Sequence, residues 1–220
     1  MSTRTARLLT ALCGIVGTAL LAVYFLAAPP LPAPNASAAD TASILAQYHN
    51  TWYVGAWIQA VGSTLSLIFF LALVHLSGAS AKFAGILTQF GAAVLLSVTL
   101  IEGAFTIELA QAALNGHANT SVASYDLMGV FVHIFPLAPA PLILIPLGII
   151  LYTSRLLPRA IAVLALTLGG LYIVAGLAGL FTTPLLTLIP LGLQALWALA
   201  AAITLAVTRT ATGQPAAALA

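Results

Sequence analysis

The segment Phe135-Pro-Leu-Ala-Pro-Ala-Pro-Leu-Ile-Leu-Ile-Pro146 is an apolar run rich in proline. A short turn, Thr153-Ser-Arg-Leu-Leu-Pro-Arg159, follows it, and a second apolar run continues to Phe181. Each run is long enough to cross the roughly 30 Å hydrocarbon core of a bilayer as an α-helix. Because the turn carries arginines, residues 126–181 are predicted to form a transmembrane hairpin whose turn lies at one membrane face.

The composition of the whole chain indicates a membrane protein. Of its 220 residues, 62% are hydrophobic and only 5% are charged, and the mean hydropathy is +1.13. A soluble domain has about 25% charged residues, so this chain could not cover a water-facing surface. The apolar runs are continuous rather than alternating, which favours helices over the strands of a membrane barrel. The predicted fold class is therefore all-α, a bundle of six transmembrane helices, and the net charge of +2 does not indicate nucleic-acid binding.

Six spans and two tails are predicted along the chain. Residues 1–7 form a cytoplasmic tail, residues 8–207 a single transmembrane domain, and residues 208–220 a flexible cytoplasmic tail. The fourth and sixth spans contain prolines, which predict kinks because proline removes a backbone donor. The predicted spans are residues 8–28, 52–76, 83–105, 131–153, 160–181 and 184–207.

The connections outside the spans carry further predictions. The first apolar run is about 21 residues long, and a secretory signal has a hydrophobic region of about 7–15. We therefore expect a retained helix, although Ala36-Ser37-Ala38 resembles a cleavage site. The connection after it should end in a short surface helix over Asp40–His49 that starts at Asp40. Residues 117–124 are predicted to form a polar loop.

The basic residues separate onto one side of this topology. They fall in the two tails and in the turns after the second and fourth spans, which all lie on the same face if there are six spans. The positive-inside rule then places both termini in the cytoplasm and the protein in the inner or plasma membrane. The basic residues are Arg4, Arg7, Lys82, Arg155, Arg159 and Arg209.

Four ionisable residues near the opposite face are the catalytic or binding candidates. Glu102 lies about 30 Å along its helix from the basic turn, and Glu108 about 9 Å farther. His133 is expected at the depth of Glu102 on the next span, and Asp126 shares a helix face with His133. We predict a polar pocket between the third and fourth spans, covered by residues 29–50, in which Glu102 is the best candidate and His133 its partner. The alternative interpretation is that these side chains are solvated ends of long helices.

No cofactor and no metal site are predicted. No two histidines stand three or four residues apart, so the spacing typical of a metal site on a helix does not occur. The one cysteine, Cys13, cannot form an internal disulfide or a cysteine cluster. His75 is predicted at the opposite membrane face from His133, which argues against a haem held between them.

The stretch Gly148-Ile-Ile-Leu-Tyr-Thr-Ser-Arg-Leu-Leu-Pro-Arg-Ala-Ile-Ala-Val-Leu-Ala-Leu-Thr-Leu-Gly-Gly-Leu-Tyr172 resembles a segment of a bacterial membrane protein family. That family has six helices and is catalogued only as a domain of unknown function. The shared pattern is an apolar helix with a tyrosine, a Pro-Arg turn, and a glycine-rich helix with a late tyrosine. This chain departs from it at Ala160-Ile161, where the family usually has Leu-Gly, and by having more prolines in the fourth helix. The resemblance implies fold and location, and no activity.

Three functional classes fit these observations. The favoured prediction is a non-enzymatic module of the cell envelope, because the spans contain few polar groups. The alternative is a membrane-embedded enzyme that acts on a lipid or isoprenoid by acid catalysis, with Glu102, Glu108 or Asp126 as the general acid. The second alternative is a small carrier that uses an unwound fourth span. The expected partners are the bilayer and a lipid or hydrophobic small molecule. The polar side chains in the spans are Gln59, Ser63, Thr64, Gln89 and Gln194.

Overall fold

A computed structural model describes residues 3–33, 36–181 and 185–208. Within these ranges the chain forms eight α-helices and no β-strand. Six helical segments are long and apolar enough to cross a membrane, with α5 and α6 together forming the fourth. The predicted all-α bundle with six helices of membrane-spanning length is confirmed, and the predicted tail at 208–220 lies outside the described residues apart from Thr208. The helices are α1 (Thr3–Leu26), α2 (Ala38–Gln47), α3 (His49–Leu76), α4 (Phe83–Leu114), α5 (Ala118–Leu137), α6 (Pro139–Ser154), α7 (Arg159–Phe181) and α8 (Leu185–Val207).

The spans form a ring in which the first and the last are neighbours. α1 packs against α3 and α8, α4 packs against α3, α5 and α6, and α7 packs against α6 and α8. The largest group of mutually packed buried side chains lies inside this ring. It includes Phe70 of α3, Leu147 of α6, Tyr172 of α7 and Trp197 of α8.

One end of the bundle carries the basic residues that lie within the described ranges. Arg7 near the start of α1 donates a hydrogen bond from Nη2 to Oγ1 of Thr208 after α8, over 2.6 Å. The turn after α3 meets the turn after α6, where Ser154 Oγ donates to Ser77 Oγ over 3.3 Å. Lys82 lies in the first of these turns. We call this end of the bundle the basic end.

The predicted surface helix exists as α2, but Asp40 does not begin it. Ser37 is the N-cap, because its Oγ accepts a hydrogen bond from the backbone N–H of Asp40 over 3.1 Å. The Ser37 hydroxyl in turn donates to Oδ2 of Asp40 over 2.7 Å. Asp40 therefore lies within the first turn, where a carboxylate also interacts favourably with the helix dipole.

The predicted polar loop at 117–124 is instead mostly the beginning of α5, which starts at Ala118. Its serines face the interior: Ser121 and Ser124 are buried, and Ser121 Oγ donates to the carbonyl oxygen of Leu109 on α4 over 2.7 Å. Small hydroxyl side chains allow close helix packing and hydrogen bonds between helices. The polar sequence here reflects contact with α4 and not a solvated loop.

The proline-rich fourth span is divided at Ala138 into α5 and α6. Pro139 and Pro141 fall in the first turn of α6, where backbone N–H groups have no acceptor within the helix, so neither proline removes a helical hydrogen bond. Pro146 lies inside α6 and Pro190 inside α8, and both helices continue past the proline. The predicted kinks of the fourth and sixth spans stay predictions.

Glycines on α4 and α7 allow these two helices to approach α6 closely. A methyl group added at Gly91 of α4 would lie 2.9 Å from the carbonyl carbon of Leu142. A methyl group added at Gly169 of α7 would lie 2.5 Å from the side chain of Ile145. Such contacts, shorter than any ordinary van der Waals distance, show that the helices touch through positions that have no side chain.

Candidate functional site

A cavity of about 130 Å³ lies inside the ring, between its middle and the end opposite the basic end. Helices α1, α3, α4, α5 and α8 line it. Most of its wall is apolar, as in most small-molecule sites of proteins. The apolar lining residues are Leu21, Phe25, Phe70, Leu95, Val98, Phe131, Phe135, Leu188 and Leu191, and the polar ones are Gln59, Ser63, Ser66, Thr99, Glu102 and Gln194.

Glu102 and Gln59 form the polar part of the wall farthest from the basic end. At 1.5 Å per residue, Glu102 lies about 28 Å from Phe83 at the start of α4. Gln59 lies about 26 Å from Leu76 at the end of α3. The short turn between these two antiparallel helices thus places both side chains at nearly the same depth. For a hydrocarbon core of about 30 Å, that depth is just inside the boundary away from the basic end.

The two side chains are hydrogen-bonded to each other. Gln59 Nε2 donates to Oε2 of Glu102 over 2.7 Å. Gln59 is 6% exposed and Glu102 is half-buried. A hydrogen bond to a carboxylate is stronger than one between neutral groups, and more so away from water. This bond therefore fixes the orientation of the carboxylate in the cavity wall.

Three further polar atoms of the wall have no hydrogen-bond partner among the described residues. They are Oε1 of Gln59, Oγ of Ser66 and Oε1 of Gln194. Leaving a buried polar atom unpaired costs about 1–3 kcal/mol, and native proteins contain few such atoms. Two of these atoms are amide oxygens, which only accept hydrogen bonds. Together with Glu102 they make a cavity rich in acceptors, whose complement is a molecule with a donor group and an apolar remainder.

Of the four predicted site residues, only Glu102 lines this cavity. Glu108 and Asp126 are exposed. His133 is half-buried on α5, and its Nδ1 has no hydrogen-bond partner among the described residues. The predicted pair of Glu102 with His133 is therefore not formed. The Glu102 carboxylate is instead hydrogen-bonded to Gln59 on α3, another helix that packs against α4.

The polar pocket predicted under residues 29–50 is replaced by an apolar cluster. Leu45 of α2 is fully buried between Trp52 at the start of α3 and Leu109 near the end of α4. Helix α2 packs against both α4 and α5. Because α2 turns its apolar residues toward the bundle, it fills the space between the ends of α4 and α5 and leaves Glu108 outside.

The site residues that sequence analysis did not assign are Gln59, Ser66 and Gln194. The sequence does identify Gln59 and Gln194 as rare polar side chains in apolar spans, and such residues commonly face a cavity or the bundle interior. That signal could have linked them to Glu102. The position of Ser66 carries no comparable signal, because serine is frequent at contacts between membrane helices.

Glu102 is the one carboxylate among the described lining residues, and it determines which chemical roles the cavity wall can take. In the described ranges, no group of three or more histidine, cysteine, aspartate or glutamate side chains is placed to hold a metal ion. Glu102 can accept hydrogen bonds or compensate a cation. Its neighbour Gln59 is an amide, which neither gains nor loses a proton near neutral pH. The wall thus supplies one acidic group surrounded by hydrogen-bond acceptors and apolar surface.

Comparison of the chain with protein-family models, with curated proteins and with solved structures finds no match. The resemblance of residues 148–172 to a six-helix bacterial family therefore stays a prediction.

Proposed function

We propose that the protein is a non-enzymatic membrane protein that binds an amphiphilic small molecule or lipid in the cavity. The observation that carries this proposal is the group of acceptor atoms, Glu102 with the unpaired oxygens of Gln59, Ser66 and Gln194, in the wall of an otherwise apolar space. A hydroxyl or amino head group would donate a hydrogen bond to Glu102, and rotation of the Gln59, Ser66 or Gln194 side chain would bring its buried oxygen to the same group. An apolar tail would occupy the part of the cavity that extends to Phe70.

Binding is favoured over the two alternatives by the surroundings of the cavity. A general acid needs a route for its proton, and the side chain hydrogen-bonded to Glu102 is the amide of Gln59, which carries no titratable proton. A carrier needs a site open in turn to both faces. Between the cavity and the basic end, the core is filled by fully buried side chains, among them Leu73, Leu147 and Leu151.

We further propose that the protein lies in the cell membrane with its basic end in the cytoplasm. Both the start of α1 and the end of α8 lie at this end, together with Lys82. Basic residues next to membrane spans favour the cytoplasmic side. In this orientation the cavity lies in the outer half of the membrane.

Reporter fusions test the orientation. Fusions made at residues 35 and 118 should report the outside, and fusions at residues 80 and 156 should report the cytoplasm, because the proposed six-span topology places them alternately on the two sides of the membrane. An enzyme reporter active only outside and a fluorescent reporter active only inside serve as reciprocal controls. A cytoplasmic signal at residue 118 would contradict the proposed orientation.

Trp197 provides a reporter for binding. It is 3% exposed, its Nε1 donates to the carbonyl oxygen of Ile161 over 2.8 Å, and its ring centroid lies 6.1 Å from that of Phe70 in the cavity wall. With Trp52→Phe and Trp57→Phe, Trp197 becomes the single tryptophan. Phe70 lies about 16 Å along α3 from Gln59. The tail end of a dodecyl chain whose head group is held at Glu102 would therefore lie beside Phe70.

The test probe is a dodecanol that carries bromine, a fluorescence quencher, at its tail end. We expect saturable quenching of Trp197 by this alcohol. The matching bromododecane, which has no hydroxyl group, should bind up to about tenfold more weakly, since one hydrogen bond contributes about 0.5–1.5 kcal/mol. A phospholipid brominated in its acyl chains reports any quenching from bulk lipid.

A matched pair of variants tests whether the alcohol binds in the cavity. Val98→Phe fills part of the cavity and should abolish saturable quenching by the alcohol, because Val98 lines the wall. Leu100→Phe adds the same ring to the same helix at a side chain that is 52% exposed and outside the cavity, and it should leave quenching unchanged. Equal quenching in both variants would show that the alcohol binds elsewhere, and this result would contradict the proposed function.

A further inference from the structure

Helices α1 and α8 are in close contact at the basic end. Arg7 donates from Nη2 to the carbonyl oxygen of Leu205 over 3.4 Å, besides its bond to Thr208. A methyl group added at Gly14 would lie 2.9 Å from Cβ of Ala202. In this part of the ring, the two helices leave no passage between them.

Farther from the basic end, α1 packs against α3. A methyl group added at Gly17 would lie 2.8 Å from the backbone nitrogen of Ser66 and 2.9 Å from the carbonyl oxygen of Gly62. In this region the cavity extends between α1 and α8, and its wall includes Phe25 of α1 and Leu188 of α8. The contact of α1 with α8 at one end thus gives way to a cavity wall at the other.

Phe25 and Leu188 are part of both the cavity wall and the outer surface of the bundle. Their side chains are 48% and 44% exposed, although both line the cavity. The outer surface at these positions is apolar and faces lipid when the bundle lies in a bilayer. Phe25 of α1 and Leu188 of α8 therefore lie where the cavity meets the outer surface of the bundle.

We infer that the ligand reaches the cavity sideways from the bilayer, passing between Phe25 and Leu188. This inference rests on the proposed function and specifies its ligand class: a molecule dissolved in the leaflet away from the basic end, with an apolar tail and a donor head group. Glu102 lies just inside the boundary of that leaflet. A lipid alcohol or amine therefore reaches the carboxylate at the depth where its own head group already resides.

A bulky group attached at Leu188 tests this route. In the single-tryptophan protein with Cys13→Ala, Leu188→Cys is labelled with a bulky maleimide, and exchange of the brominated dodecanol is followed by stopped-flow quenching of Trp197. The association rate should fall by about tenfold, because the label stands on the path by which the alcohol enters the cavity. The matched control is Leu193→Cys with the same label, since Leu193 is 43% exposed on the same helix and does not line the cavity.

The opposite change widens the passage. Phe25→Ala should raise the association rate by about threefold or more, because a large side chain is removed from the path. Phe90→Ala is the control, since Phe90 is 60% exposed on α4 and does not line the cavity.

Exchange at the control rate in both the labelled Leu188→Cys protein and Phe25→Ala would overturn the inference. So would a weaker affinity in the labelled protein with an unchanged association rate, because the label would then occupy the site and not its access. Absence of saturable quenching in the unlabelled protein would instead contradict the proposed function. Failure of the lateral route and failure of the proposed function are therefore distinguishable.

Discussion

Gly91→Ala should lower the free energy of unfolding by about 1–3 kcal/mol, the usual cost of forcing extra volume into a packed interior. The added methyl group would meet the Leu142 carbonyl carbon and Cβ at 2.9 Å and its carbonyl oxygen at 3.0 Å. Two of these three atoms belong to the backbone of α6, which cannot rotate away as a flexible side chain could. The overlap of the methyl group with Leu142 can be relieved only if α4 and α6 move apart. Chemical or thermal unfolding in detergent, followed by circular dichroism, measures the loss.

Gly103→Ala is the matched control on the same helix. Nothing lies within 4 Å of the position that the methyl group would take, and alanine is favoured over glycine inside a helix by about 0.5–1 kcal/mol. The variant should be as stable as the parent chain or slightly more stable. Equal effects at Gly91 and Gly103 would mean that α4 and α6 do not touch through Gly91.

Glu102→Ala should destabilise the protein by about 1.5–3 kcal/mol, the usual contribution of a hydrogen bond to a charged group. Gln59→Ala should also destabilise it, and the double variant should cost less than the sum of the two, with a coupling energy of about 0.5–3 kcal/mol. The physical reason is the 2.7 Å bond between the two side chains, which either substitution removes. A double-mutant cycle of unfolding free energies measures the coupling.

Two comparisons make this cycle specific. Glu108→Ala removes an exposed carboxylate from the same helix and should change stability by no more than about 0.5 kcal/mol. His133→Ala combined with Glu102→Ala should be additive, because no bond joins these residues. Additive effects for Glu102 and Gln59 would contradict the hydrogen bond, while coupling between Glu102 and His133 would restore the pair that the sequence predicts.

The spans were predictable because their signal is local. A long apolar run requires a helix of bilayer length wherever it occurs, so α3 begins at His49, three residues before the predicted span, and ends with it at Leu76. The start of α5 was predicted incorrectly because Ser121 and Ser124 resemble loop residues. Their role depends on a partner, the carbonyl oxygen of Leu109, that only the packed structure provides.

The site was predictable only in part, for a reason specific to membrane proteins. In a soluble helix the apolar face identifies the interior, whereas a membrane helix is apolar on the faces toward lipid and toward the core alike. Sequence could therefore single out Glu102 as a costly residue near the hydrocarbon boundary. It could not show that α4 turns this carboxylate toward Gln59 on α3 and away from His133 on α5.

The contact between the first and last spans has a consequence for how the protein is made. Arg7 and Thr208 are 201 residues apart in the chain, and a ribosome delivers the helices in sequence order. Until α8 is inserted, the ring is an open arc, and Glu102 and Gln59 line a groove that faces hydrocarbon. The final helix supplies Leu188, Leu191 and Gln194 and converts this groove into a cavity. The cavity is thus the last part of the molecule to be completed, and a chain that stops after five spans has none.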